Sequence, residues 1–255
     1  MKDFTLHIYK DLVEIAQLKD YCFQTFEQFI INPWGRKVVV LRHDVDRLPG
    51  NAESMAILEN SLNVQASYYF RCVRNVWNAD ILRSIVELNH EVSYHYEDLT
   101  ITKGNYQKAI EHFEFQLERI RKFYPAKTIC MHGSPMSKWD NRLLWTKFDY
   151  HKFGIIAEPY FDVDYNQTFY ITDTGRSWNN AEFNIRDRVS SIINIKIENT
   201  KHLISLFEQD LMPEKVIINT HPHRWFNPGL SWYREFFLQN AKNVVKRVIR
   251  KINAE

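Results

Sequence analysis

The chain has little with which to staple itself. Its three cysteines, Cys22, Cys72 and Cys130, form no C-x-x-C pair and leave an odd number. That speaks against a disulfide framework and a thiolate zinc site, and it fits a reducing compartment. Charge of one sign is also lacking: 33 Lys and Arg against 31 Asp and Glu leave +2. This is too little to suggest nucleic acid, whose phosphates need a clustered basic surface. No apolar run approaches membrane-spanning length, so stable insertion is not expected. The amino-terminal stretch meets charge early and again at Asp11 and Glu14. No signal-peptide core can be drawn there, and a cytoplasmic protein is expected. Internal repeats and low-complexity segments are absent as well.

What is present fits one soluble α/β domain. The 255 residues are 45% hydrophobic and 25% charged, an ordinary globular balance with enough chain for a sizeable core. Leu12, Ile15, Ala16, Leu18, Cys22, Phe23 and Phe26 predict a helix over about 10–30. Strand, helix and strand follow, with a helix through Met55, Ala56, Leu58 and Leu62 and a strand over Ala66 to Phe70. A helix capped by Asn78 leads to a strand over His90 to Tyr94, and a long amphipathic helix from Tyr106 to Ile120 leads to another at Thr128 to Met131. Between Tyr150 and Ile197 the pattern is irregular, with short β-like runs at Phe169 to Ile171 and Ile192 to Ile195. Val216 to Asn219 is a last strand, and a closing helix is expected over about 231–253, its apolar face made by Val244, Val245, Val248, Ile249 and Ile252. The alternation predicts a parallel sheet, which a chain of this length can close into a barrel.

Four apolar runs end in histidine: at Arg42-His43-Asp44-Val45-Asp46, Tyr94-His95, Met131-His132-Gly133 and Thr220-His221-Pro222-His223. In a parallel β/α fold the carboxyl ends of the strands share one rim, so these groups can meet. Asp44 and Asp46, two apart, project from one face of a continuing strand. One can bind a metal while the other takes a proton, and the alternative is a pair that caps the next helix. Either His95 or His132 could bind zinc, and an ion held by two imidazoles and a carboxylate lowers the pKa of its water to about 7. His221 suits a general acid or, more plainly, a hydrogen-bonded strand terminator. Trp139, Trp178 and Trp225 fall after strands, where indole faces can stack on a sugar, although most aromatic residues are core. His7, His112, His151 and His202 read as solvent-facing or packing residues. The basic run Lys242, Lys246, Arg247, Arg250 and Lys251 reads as a solvated helix face, with contact to anionic lipid as the alternative.

Over roughly residues 36–225 the chain resembles the polysaccharide deacetylase family, carbohydrate esterase family 4. Arg42-His43-Asp44-Val45-Asp46 looks like its first motif, Ala66 to Phe70 its second strand, His90 to His95 the approach to the first metal histidine, and Asn219-Thr220-His221-Pro222 its last motif. The resemblance implies a distorted parallel barrel, here of seven strands, and a metal-dependent hydrolase that removes an N-acetyl group from a sugar or glycan precursor. It implies Asp44 as base and Asp46 as metal ligand, an order that the D-x-D spacing leaves reversible, and His221 as acid. Four residues after His95 the family's second metal histidine is replaced by Leu99, and the third motif by His132-Gly133-Ser134-Pro135. His132 is therefore expected to supply the missing imidazole, completing Asp46, His95 and His132 around a divalent metal, zinc by preference. His43, His223, Trp178, Trp225 and Arg71 are expected to bind substrate. The rivals are a metal-free carbohydrate-binding or scaffolding protein on the same barrel, as Leu99 would permit, and a metallohydrolase cleaving another amide or an O-acetyl ester.

Overall fold

The structure, a computed structural model, describes residues 2–179, 186–227, 229, 230, 232–239 and 243. Its centre is β2 (Lys37–Val45), which opens on the apolar, β-branched run Val38 to Leu41 and closes through Arg42, His43 and Asp44, all buried as expected of a strand covered on both faces. One parallel sheet of seven strands is built around it. On one side β2 pairs with β7 (Lys215–Thr220), which pairs with β6 (Phe169–Thr172). On the other side the first half of β2 pairs with β1 (Tyr21–Gln24), and its last residues pair with β3 (Ser67–Phe70). Beyond β3 come β4 (Glu91–Tyr96) and β5 (Ile129–Met131). Among the described residues no ladder joins β5 to β6, so the distorted barrel is open there.

Helices α1 (Leu6–Leu18), α3 (Pro49–Ser61), α4 (Ala79–Glu87), α6 (Tyr106–Arg121) and α8 (Thr200–Glu208) supply apolar residues to the outer core, and the short α2 (Phe26–Ile31), α5 (Asp98–Ile101) and α7 (Pro159–Asp162) lie between them in the chain. Asn78 caps α4, accepting from the amides of Asp80 and Ile81. A smaller inner core holds Val38, Val40, Tyr69, Cys130, Tyr170 and Ile217, while Val39, Leu41, Tyr68, Ile129, Ile171 and Ile218 join the outer one. Side chains thus alternate strictly between the barrel interior and the helices.

The single helix expected over 10–30 is corrected. Asp20 takes a left-handed φ of 62°, the chain enters β1, and α2 (Phe26–Ile31) restarts behind a Thr25–Gln28 capping box. Cys22 and Phe23 are strand residues whose spacing happens to suit a helix. Ile192 to Ile195 forms no strand. Of the closing helix, Leu230, residues 232–239 and Asn243 are helical. Val244, Val245, Val248, Ile249, Ile252 and the basic run from Lys242 to Lys251 lie outside the described residues.

Candidate metal centre and active site

The alternation decides which groups can meet. Counting along β2 from inward-facing Val38 and Val40, Arg42, Asp44 and Asp46 also fall on the inner face. The same parity turns His95 inward on β4, His132 one residue past β5 and His221 one residue past β7. All four strand ends are carboxyl ends of parallel neighbours, so the groups share one rim.

There, Asp46 Oδ1 lies 3.5 Å from Nε2 of His95 and 3.5 Å from Nε2 of His132, and Oδ2 lies 3.8 Å from Nε2 of His221. Each imidazole is oriented from behind. His95 Nδ1 is 2.9 Å from the Cys130 carbonyl, His132 Nδ1 is 2.9 Å from Glu97 Oε2, and His221 Nδ1 is 2.6 Å from Asp173 Oδ1. Those oxygens only accept, so in the neutral ring each Nδ1 carries the proton and each Nε2 keeps its lone pair. Arg71 grips both oxygens of Glu97 at 2.7 and 2.9 Å and also donates to the Asp46 carbonyl. Asp173 is fixed by Arg224 at 2.6 Å, by the Trp225 indole at 2.8 Å and by the His221 amide at 3.0 Å. The loop carrying His132 is tied down by Asn141, which donates to the His132 carbonyl, and by Arg186, which reaches the carbonyls of Gly133, Ser134 and Trp139.

Burial alone would push the Asp46 carboxyl up, but the surrounding imidazoles of His132, His95 and His221 hold it well below the carboxylate range. His95 moves the opposite way: burial would lower it, and the carboxylates of Asp44 and Asp46 raise it. Asp173 is likewise driven down against its burial by Arg224 and His221.

The donors suit a divalent ion. Asp46, His95 and His132 place one ligand atom each within 4.8 Å of one another, and Asp46 Oδ1 is buried with no hydrogen bond among the described residues. Two imidazoles, a carboxylate and ordered partners behind them form a donor set that zinc accepts. A second grouping, Asp44, His95 and Cys130, meets the same spacing. It suits a cation less well, because burial pushes the Cys130 thiol up and the Arg42 guanidinium sits 3.1 Å from Asp44.

Asp44 is held differently from Asp46. Its Oδ2 accepts from Arg42 at 3.1 Å and from Asn219 at 3.0 Å, and it stands 3.9 Å from His95 Nε2. Arg42, fully buried, also reaches the Tyr170 hydroxyl at 2.9 Å and Asp187 at 3.7 Å. Asp44, Asp46, His95, His132 and His221 together line a cavity of about 90 Å³ with Met131 and Pro135 on its wall, room for a few waters. A larger cavity of about 820 Å³ runs along Trp178, Asn179 and residues 187–198. It holds none of these histidines.

The other sequence candidates lie elsewhere. His43 has the opposite parity and is buried on the outer face, between Thr220 and Glu59. His223 is buried in the 3-10 turn after His221 and does not line the cavity. Trp225 is 1% exposed, packed edge-on against Phe4 and Tyr9. Trp178 is 3% exposed, with its indole N–H on Thr200. Arg71 lies behind His132, on Glu97. The sequence reading overlooked Glu97, Asp173, Arg42 and Asn219. Asp173 was within reach of the same strand-end rule, since it directly follows β6.

No family model and no curated protein matches the sequence. Among solved structures the chain is similar to PdaA of Bacillus subtilis, a family 4 carbohydrate esterase. The two are 12% identical over 82% of this chain and 86% of that one, with a TM-score of 0.38. At that distance the likeness adds no weight, and the site stands on its own geometry.

Proposed function

We propose that the protein is a metal-dependent hydrolase that removes an N-acetyl group from a sugar or glycan precursor. One observation carries the reading: three imidazoles, each with Nδ1 committed to a fixed acceptor, turn Nε2 toward the one carboxylate of Asp46. Asp46, His95 and His132 would hold the ion, which when bound supplies Lewis acidity to the amide carbonyl and an acidified water.

The chain's own groups do the rest. Asp44 takes the proton of the attacking water, its carboxylate kept in one orientation by Arg42 and Asn219. His221 acts in its imidazolium form, which Asp173 on Nδ1 stabilises: it gives its Nε2 proton to the departing amine, and exchange with solvent afterwards reprotonates it and discharges the proton held by Asp44. Arg71 and Glu97 keep His132 in the tautomer that leaves Nε2 free. The small cavity suits a short acyl group, with the sugar outside it.

The test is metal analysis of purified protein together with acetate release from N-acetylglucosamine oligosaccharides. Near-stoichiometric zinc or a similar ion is expected, with activity lost on chelation and restored by metal. Failure to bind metal at any added concentration would favour a carbohydrate-binding protein on the same barrel.

A further inference from the structure

Among the described residues, the C-terminal helical run is arranged inside out. Glu235, Gln239 and Asn243, spaced by four, are buried, whereas Leu230 is 89%, Phe237 66%, and Tyr233 and Leu238 each 44% exposed. The inward groups fasten the run to the rim of the candidate site. Glu235 accepts from Arg47, the residue after Asp46, at 2.5 Å, and Asn243 donates to the carbonyl of Gly175, two residues past Asp173, at 2.9 Å. Gln239 bonds to Asn243. Trp232 anchors the start, its indole N–H on the Asp3 carbonyl and its ring under Arg176. A helix in water normally turns its polar side outward, so an outer face on which Leu230, Tyr233, Phe237 and Leu238 flank Arg234, the lone exposed cation among these described residues, calls for a cover.

The sequence says what kind. Residues 240–254 carry Lys242, Lys246, Arg247, Arg250 and Lys251 with no Asp or Glu, in a chain whose total is only +2. We propose that this face docks on the surface of an anionic lipid bilayer, its apolar residues in the headgroup boundary and the following cations against lipid phosphate. A second copy is a poorer cover, because it would offer the same cationic segment instead of a complementary charge. Spanning is not involved, since no described helix is long and apolar enough. Resting on the deacetylase reading, the same placement makes a lipid-linked N-acetyl sugar the substrate class, because the inward side of the same helical run is fastened to the rim at Arg47 and Gly175.

Cosedimentation tests the docking without any turnover. The full chain should pellet with phosphatidylcholine vesicles containing phosphatidylglycerol and not with phosphatidylcholine alone, and salt should release it. Phe237→Asp with Leu238→Asp, both outward-facing, and separately Lys246→Glu with Arg247→Glu, should each lower partitioning about tenfold or more while leaving the thermal melt in place. Absence of pelleting at low salt, or full pelleting of the Phe237→Asp/Leu238→Asp variant, would overturn the proposal. So would a wild-type dimer in light scattering that this variant turns into a monomer. In an activity arm, an N-acetylglucosaminyl lipid in the anionic vesicles should be turned over faster than soluble oligosaccharide, and the first variant should remove only that advantage. If neither sugar is deacetylated while vesicle binding persists, the deacetylase reading fails and the docking surface stands.

Discussion

Strand β2 carries a buried polar network on each face, and the two differ in how far their bonding capacity is used. On the outer face Glu59 accepts from the hydroxyls of Tyr9 and Tyr68 and pairs with His43 Nε2 at 2.8 Å, while His43 Nδ1 meets Thr220 at 2.6 Å. His90 nearby donates from Nε2 to the Ala56 carbonyl and accepts at Nδ1 from the Ala66 amide. Every one of these groups has a protein partner. On the inner face Asp46 Oδ1 has no hydrogen bond among the described residues, and three imidazole Nε2 atoms stand 3.5 to 3.8 Å from the Asp46 carboxylate. Carboxylate and imidazole occur on both sides, fully buried on the outer face and partly open at Asp46 and His132 on the inner one. Unspent bonding capacity facing a cavity is what separates a site from a structural network.

That contrast can be broken by experiment, and the largest effect is expected on the inner face. Asp44→Asn should cut turnover by about 10²- to 10⁴-fold with metal content unchanged. Turnover at the wild-type level would remove Asp44 from the chemistry. On the outer face Glu59→Ala should instead cost about 3–5 kcal/mol of stability, because it strands buried His43 and two tyrosine hydroxyls. Denaturant unfolding reads this directly, and the folded fraction should keep its metal; lost metal with intact stability would erase the distinction between the faces. Glu97→Gln probes the support behind the ligands. It should weaken metal affinity about 10- to 100-fold by loosening His132, seen in competition with a chelator, and unaltered affinity would make Glu97 a packing residue.

The effect that is smallest at any one pH step sharpens the comparison. Burial pushes the Glu158 carboxyl up to about 7, although the amides of Tyr160 and Met131 donate to it. An unfolded glutamate titrates near about 4.3. Between that value and about 7 the folded chain therefore holds a proton that the unfolded chain has released. Stability should fall as pH rises through this window, by at most about 1.4 kcal/mol per pH unit, and this contribution should level off above it. Thermal melts of Glu158→Gln should lack that slope; an identical slope in the variant would assign it to another group.

Legibility in the sequence followed the range of the forces involved. The period-2 rule that aligned Asp44 with Asp46 also forbids His43 from joining them, so that misplacement was readable in principle. Thr25 and Gln28 announced a helix start inside the stretch taken as one helix. Trp225 was invisible as a support, because its indole reaches Asp173 across 52 residues of chain. Glu97 stood two residues from His95 in plain view, yet its partner His132 arrives from another strand.

By itself the amino-acid sequence determined the parallel α/β plan and the gathering of Asp44, Asp46, His95, His132 and His221 at carboxyl strand ends, because apolar runs and side-chain alternation are local properties of the chain. Only the tertiary structure decided which imidazoles keep a free Nε2 and which spend both nitrogens. That depends on what each neighbour offers: the register pairing His95 with Cys130 and the turn that brings Asp173 under His221 are set by packing between distant segments.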